Sequence, residues 1–260
     1  MAPLPPPRAK VPPLAADLAH TALGRLFTEA PIRYFHATIE GLEHLPKTGG
    51  ALIVGNHALL GLDGWVLGAL IVRETGRYPR FLGDRNLFRV PLLGAALTAV
   101  GAVAGEPHRA QQLLEDGELV IVYPGGVDDS FKSAAQRHRL QWGRRAGFAK
   151  VAMRARVPIV PVAGLGIDDM YEVVAREPVV GRALFGSARY DLPIAFGAFG
   201  TPLPRRAPQH YVVLPPVDTH GDPERSEELE RVRAATFASI DARLASARVE
   251  PPSGASSAKS

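Results

Sequence analysis

The chain contains no cysteine. That excludes a disulfide framework, a thiolate metal site and a cysteine nucleophile. It also lacks a run of the ~18 to 20 apolar residues that a membrane-spanning helix needs; the longest candidate, Pro91 to Ala104, is too short and rich in small residues. A soluble or peripheral protein is expected rather than an integral one. The N-terminus, Met1-Ala2-Pro3-Leu4-Pro5-Pro6-Pro7-Arg8, has no apolar core of the kind a secretory signal carries. No Gly-x-Ser-x-Gly elbow, P-loop or complete dinucleotide loop is present, Gly164-Leu165-Gly166 lacking its third glycine. Lysine occurs only at Lys10, Lys47, Lys132, Lys150 and Lys259, so arginine supplies most of the formal charge of +4. The arginines form small clusters (Arg137, Arg139, Arg144 and Arg145; Arg205 and Arg206) without the interleaved aromatics of a nucleic-acid reader. A mildly basic surface fits anionic lipid head groups better.

What is present is the patterning of a globular α/β chain: 260 residues, 46% hydrophobic and 22% charged, enough to bury a sizeable core. From residue 36 onward, short apolar runs alternate with segments of helical period. Strands are expected at 36–40, 51–54, 78–82, 119–123, 159–163 and 211–214, and helices at 63–75, 92–100, 110–116 and 144–155. This alternation predicts a largely parallel central sheet flanked by helices, with active sites at strand ends. Around it the spacing predicts a disordered leader over 1–12, an N-terminal helical segment over 13–34 with apolar positions at Leu18, Ala19, Ala22, Leu23 and Leu26, a main domain over 35–220, a charged C-terminal helix over 221–248 and a disordered tail over 249–260.

Chemistry concentrates in Gly55-Asn56-His57-Ala58-Leu59-Leu60-Gly61-Leu62-Asp63. A histidine has an unperturbed pKa near ~6.5 and can act as a general base; a carboxylate on its other nitrogen fixes the tautomer and stabilises the imidazolium. Six residues apart on one helix, His57 and Asp63 would diverge by roughly 240°. A loop must therefore bring them together, and Gly55 and Gly61 can supply its backbone angles. Asp63 falls where the N-cap of the next helix is expected, and the bland reading, a cap and a loop filler, fits the same residues. The remaining histidines, His20, His36, His44, His108, His138, His210 and His220, stand without metal-ligand spacing. Asp128-Asp129 and Asp168-Asp169 read as solvated loop carboxylates before they read as a cation site.

Three further stretches are strand-end motifs: Gly83-Asp84-Arg85-Asn86-Leu87-Phe88-Arg89-Val90-Pro91-Leu92-Leu93-Gly94, Val122-Tyr123-Pro124-Gly125-Gly126-Val127-Asp128-Asp129, and Val157-Pro158-Ile159-Val160-Pro161-Val162 with Gly164 and Gly166. With Asn56-His57 and the approach Gly41-Leu42-Glu43-His44-Leu45-Pro46, these four blocks resemble the glycerolipid acyltransferase superfamily, over roughly residues 35–220. The match looks closer to its monoacylglycerol and diacylglycerol acyltransferase-like branch, because of two departures. Five residues separate His57 from Asp63 where four are common, and the common Phe-Pro-Glu-Gly-Thr-Arg third block here has Gly125 in place of the Glu and Asp128 in place of the Arg. The resemblance implies a glycerol-3-phosphate acyltransferase-like fold, with His57 as base and Asp63 as its orienting partner.

It further implies substrate contacts from Asn56, Arg85, Tyr123, Pro124, Gly125 and Gly126, with Arg85 and the Gly125-Gly126 amides as oxyanion candidates. The implied donor is acyl-CoA or acyl-carrier protein, with no other cofactor and no metal. Beside Asp128 and Asp129 an anion is repelled unless Arg85, Arg89 or Lys132 compensates, so a neutral lipid alcohol (diacylglycerol, monoacylglycerol or a long-chain alcohol) is the expected acceptor, with a lysophospholipid as the alternative. The expected location is the cytoplasmic face of a membrane, bound peripherally. A catalytically silent lipid-binding homologue and a thioester hydrolase are the competing functions.

Overall fold

The computed structural model describes residues 21–89, 91–99, 101–177 and 192–249. The described elements run, in chain order, α1 (Ala22–Tyr34), β1 (Thr38–Glu40), β2 (Ala51–Gly55), α2 (Leu62–Thr75), β3 (Arg80–Gly83), α3 (Pro91–Ala99), β4 (Ala102–Ala104), α4 (Pro107–Glu115), β5 (Leu119–Val122), the single turn α5 (Val127–Ser130), α6 (Gly147–Ala155), β6 (Ile159–Leu165), β7 (Glu172–Glu177), β8 (Leu192–Phe196), β9 (His210–Val213) and α7 (Ser226–Val249).

Among the described residues, seven strands form the central sheet in the order β1-β9-β6-β2-β5-β3-β4. The five from β6 to β4 are parallel. β9 runs antiparallel to β6 and parallel to β1, so this end of the sheet reverses direction. The apolar runs follow from burial on both faces, which removes the polar alternation of a one-sided sheet. In β2, Ala51 and Ile53 join the core under α1 and α2, whereas Leu52 and Val54 join the core under α4, α6 and α7. β5 divides the same way, Leu119 and Ile121 against Val120. Ile53 has no exposed surface, and truncating such a side chain to alanine costs about 2–5 kcal/mol.

The α/β architecture is as expected, with shifts at the edges. The N-terminal helix starts at Ala22; the part expected at 13–20, like the leader and residues 250–260, lies outside the described residues. The C-terminal helix is charged outside but carries an inner stripe, Val232, Thr236, Ile240 and Leu244, all buried, at the three-to-four spacing of one helix face. Thr236 satisfies its hydroxyl by donating to the Val232 carbonyl at 2.8 Å. Two features were not expected: the short strand β4 and the separate antiparallel pair of β7 with β8. Both matter less for the site than β2 and β5, whose C-terminal ends lie side by side at Val54 and Val122.

Candidate active site

Where β2 ends, the chain must turn from a buried strand into α2. It does so through Leu60 at φ 65° and Gly61 at φ 70°. Both lie in the left-handed region, which costs a glycine little and a leucine more. The turn sets the helix start at Leu62 with Gly61 as its N-cap, and this corrects the expectation that Asp63 caps the helix. Asp63 lies one residue into the first turn with 1% of its side chain exposed, and its Oδ2 meets His57 Nδ1 at 2.9 Å. The carboxylate therefore serves the histidine, and the helix macrodipole favours a negative charge at that place.

His57 keeps 19% of its side chain exposed, and its Nε2 makes no hydrogen bond among the described residues. The Tyr123 ring stacks on it at 4.2 Å between centroids and 9° between planes. Burial pulls the His57 pKa down, but the charge and hydrogen bond of Asp63, helped by Asp129, outweigh it; the net shift is upward, against a smaller opposing push from Lys132. Burial and the negative charge of Asp63 hold the Tyr123 hydroxyl well above the usual phenol range, so it stays neutral. Behind the pair, the Tyr211 hydroxyl lies 3.1 Å from the Asp63 carbonyl oxygen, which ties the start of α2 to β9.

The segment after β5 closes around His57. Gly126 adopts φ 51° and ψ −132°, a conformation only glycine takes readily, and its N–H donates to the Tyr123 carbonyl at 3.0 Å. Asp128 pairs with Arg145, and the same guanidinium donates to the Pro124 and Gly125 carbonyl oxygens. Asp129, with no exposed surface, accepts from the His57 backbone N–H at 2.8 Å and from the Gln141 N–H at 2.9 Å. Lys132 Nζ lies 3.4 Å from Asp129 Oδ1 and 3.1 Å from Asp168 Oδ1. The two carboxylates of the third block thus differ sharply in setting.

Of the cations expected to compensate them, only Lys132 does, and it serves Asp129; Asp128 is neutralised by Arg145, 17 positions away. Arg85 is exposed in the turn after β3 and makes no hydrogen bond or ion pair among the described residues. Asn56 is buried, with Nδ2 donating to the Gly164 carbonyl and Oδ1 accepting from the Gly164 N–H, both at 2.8 Å. It continues the β2–β6 ladder one step past the strand with a side chain. Asp129–Lys132 has the i, i+3 spacing of a helical ion pair, a signal readable in the sequence; nothing local there marks Arg145, Gln141 or Asp168.

Residues 36–164 match the family model described as Acyltransferase. The chain is 34% identical over 180 residues to an uncharacterised protein of Mycobacterium leprae, covering 66% of this chain and 49% of that one. It is 30% identical over 161 residues to the human protein named DGAT1/2-independent enzyme synthesizing storage lipids, covering 62% and 49%. The chain thus spans about half the length of the curated relatives it matches. In structure it is similar to the 1-acyl-sn-glycerophosphate acyltransferase of Thermotoga maritima, with a TM-score of 0.51 at 18% identity over 85% of this chain and 79% of that one, a likeness of fold. The matched stretch runs from before β1 into β6 and takes in the His57–Asp63 pair and the whole third block; by that match, residues 36–164 form an acyltransferase-family domain.

Proposed function

We propose that the chain transfers a fatty acyl group from an acyl thioester, acyl-CoA or acyl-carrier protein, to the hydroxyl of a neutral lipid alcohol. One observation supports this most directly: His57 Nδ1 is held by a buried carboxylate at 2.9 Å, while Nε2 makes no hydrogen bond among the described residues and the side chain is partly exposed. Donating Nδ1–H to Asp63 leaves Nε2 as an acceptor. Nε2 takes the proton of the acceptor hydroxyl as its oxygen attacks the thioester carbonyl. The tetrahedral intermediate collapses with loss of thiolate, and the imidazolium returns the proton to sulfur, so that thioester and alcohol give ester and thiol. Asp63 offsets the transient positive charge. For the oxyanion the Gly126 N–H is already committed to Tyr123, so we assign the Gly125 N–H that role. Asn56 positions the strand end rather than touching substrate.

The acceptor reading rests on charge. Arg145 is engaged by Asp128, and Lys132 by Asp129 and Asp168. A phosphate brought to the third block meets no unengaged cation on that segment, and paired charges bind anions weakly. A neutral acceptor has no such cost. We further propose that the protein works at a lipid surface. Leu26, Phe27, Leu60, Phe199 and Leu203 are exposed large apolar side chains; Phe27 packs on Trp65, two residues past Asp63, at 4.8 Å.

Transfer of a labelled acyl group should be measured on diacylglycerol, monoacylglycerol, a long-chain alcohol, lysophosphatidate and water, with wild type, His57→Ala and Asp128→Ala. The expected result is label on a neutral alcohol, none with His57→Ala, and a gain of about tenfold for lysophosphatidate with Asp128→Ala, since freeing one guanidinium is worth roughly 1.5 kcal/mol. Faster turnover of lysophosphatidate by the wild type refutes the acceptor assignment, and label only in free acid refutes transfer in favour of hydrolysis.

A further inference from the structure

Gly125 is not in the left-handed region, so its backbone alone does not demand glycine. Space does. A Cβ built on Gly125 falls 2.2 Å from Asp129 Cβ and 2.8 Å from Asp129 Cγ, closer than real side chains approach. In a glutamate the carboxyl carbon is two bonds from Cβ, roughly 2.5 Å away at bond lengths of about 1.5 Å and angles near 111°. A glutamate at 125 would thus carry its carboxyl carbon within reach of the place that Asp129 Cγ holds, and the two side chains exclude one another.

What that carboxylate does is set by its partners. One oxygen accepts the backbone N–H of His57 itself at 2.8 Å, and the other accepts the Gln141 N–H at 2.9 Å. Lys132, shared with Asp168, balances the buried charge. We propose that Asp129 is a positioning residue for acyl transfer: from position 129 it supplies the carboxylate that a side chain at 125 would otherwise supply, and it holds the His57 main chain so that Nε2 faces the acceptor. This rests on the acyltransferase reading above. The ionisable groups facing His57 are Asp63 from α2, Tyr123 after β5, and Asp129 and Lys132 from the segment following it. Because Asp129 also raises the His57 pKa, its removal lowers the pH at which His57 gains its proton, an effect that a purely structural role does not produce.

The test is a two-position cycle: wild type, Asp129→Ala, Gly125→Glu and Gly125→Glu/Asp129→Ala, each measured for kcat and KM, for thermal unfolding, and for the His57 pKa by NMR of labelled imidazole. Asp129→Ala is expected to lower kcat about 100-fold with KM changed little, the loss typical of a catalytic group displaced by about 1 Å, and to lower the His57 pKa. Gly125→Glu alone is expected to lose activity through collision. The double variant is expected to regain at least tenfold in kcat over either single one, and to move the His57 pKa back up. If Asp129→Ala does not fold, regained folding in the double variant supports the proposal. A double variant no more active and no better folded than Asp129→Ala overturns it, as does a loss in Asp129→Ala confined to KM. Should the wild type transfer no acyl group, the functional reading fails, while the imidazole titration and the melting cycle still decide whether Asp129 holds His57.

Discussion

Replacing Asp63 by asparagine changes the charge on His57 with the least change of shape. The carboxylate is almost fully buried and contacts Nδ1 at 2.9 Å, so no solvent fills its place. If the asparagine presents its NH₂ to Nδ1, that nitrogen must accept, the ring proton moves to Nε2, and the base is blocked. If it presents its oxygen, the tautomer survives but the countercharge for the imidazolium is gone. The first limit resembles the loss of a triad carboxylate, about 10⁴ in kcat; the second removes about 10². The expected fall in kcat is therefore between about 10² and 10⁴, or roughly 2.7 to 5.4 kcal/mol of barrier at 1.36 kcal/mol per decade.

The pH dependence adds an independent sign. His57 must be neutral to act as base, so kcat/KM in the wild type rises with pH through its raised pKa. Loss of Asp63 lowers that pKa and moves the acid limb to lower pH, with less activity throughout. For stability, a histidine whose pKa is raised in the folded state contributes fully below its unfolded pKa of ~6.5, and the contribution is lost as pH rises through the folded value. The gap in melting temperature between wild type and Asp63→Asn should therefore be wider at pH 6 than at pH 9. Acyl-transfer kinetics from pH 5 to 9 on both proteins provide the assay. A kcat within tenfold of wild type, or an acid limb that stays put or moves up, refutes the assignment.

Other consequences follow from the same geometry. Asn56→Ala leaves the buried N–H and C=O of Gly164 unpaired at two 2.8 Å bonds, a loss of about 3 kcal/mol and roughly 6–12 °C in melting temperature for a chain of this size, read by calorimetry. Lys132→Met strands two buried carboxylates and should cost about 3–5 kcal/mol in urea denaturation, less at low pH, where burial already biases Asp129 toward its protonated form. Phe199 is fully exposed at φ 54° on a turn fixed by bonds from Gly197 N–H to the Thr201 carbonyl and from Ala198 N–H to the Leu203 carbonyl, both 2.7 Å. Phe199→Ser/Leu203→Ser should cut cosedimentation with anionic vesicles at least fivefold and leave turnover of dispersed short-chain substrates unchanged; unaltered cosedimentation removes this turn from the lipid contact.

The elements readable from the sequence were those whose driving force is local. Ala51 to Val54 and Leu119 to Val122 are apolar on both faces because helices cover both faces, and an uninterrupted apolar run flanked by Gly and Pro records that directly. The pairing of His57 with Asp63 was legible because two glycines bracket a segment too short to be anything but a turn. The sequence points to Asp63 as a cap for an equally local reason: a carboxylate just ahead of a helix commonly satisfies backbone N–H groups, and only the left-handed Leu60-Gly61 step moves the cap to Gly61 and leaves the side chain to the imidazole. β4 and the β7–β8 pair are short, and short strands owe their pairing to neighbours rather than to their own residues.

The third block was legible in sequence position but not in space. Read along the chain, Gly125 is a missing carboxylate and Asp128-Asp129 a pair of surplus ones, which points to a site that has lost a function and gained a repulsion. In the fold, Asp129 and Gly125 are one steric unit, since the side chain of the first fills the volume the second leaves open, while Arg145 cancels Asp128 from the other side. Neither partner is adjacent in sequence, and a single chain offers no pattern that links position 125 to 129 or 128 to 145. The functional unit is the carboxylate at a point in space, bonded to the His57 N–H; which residue delivers it is secondary. A glycine where an acid is common therefore indicates a lost role only if no other side chain occupies its volume, and here one does.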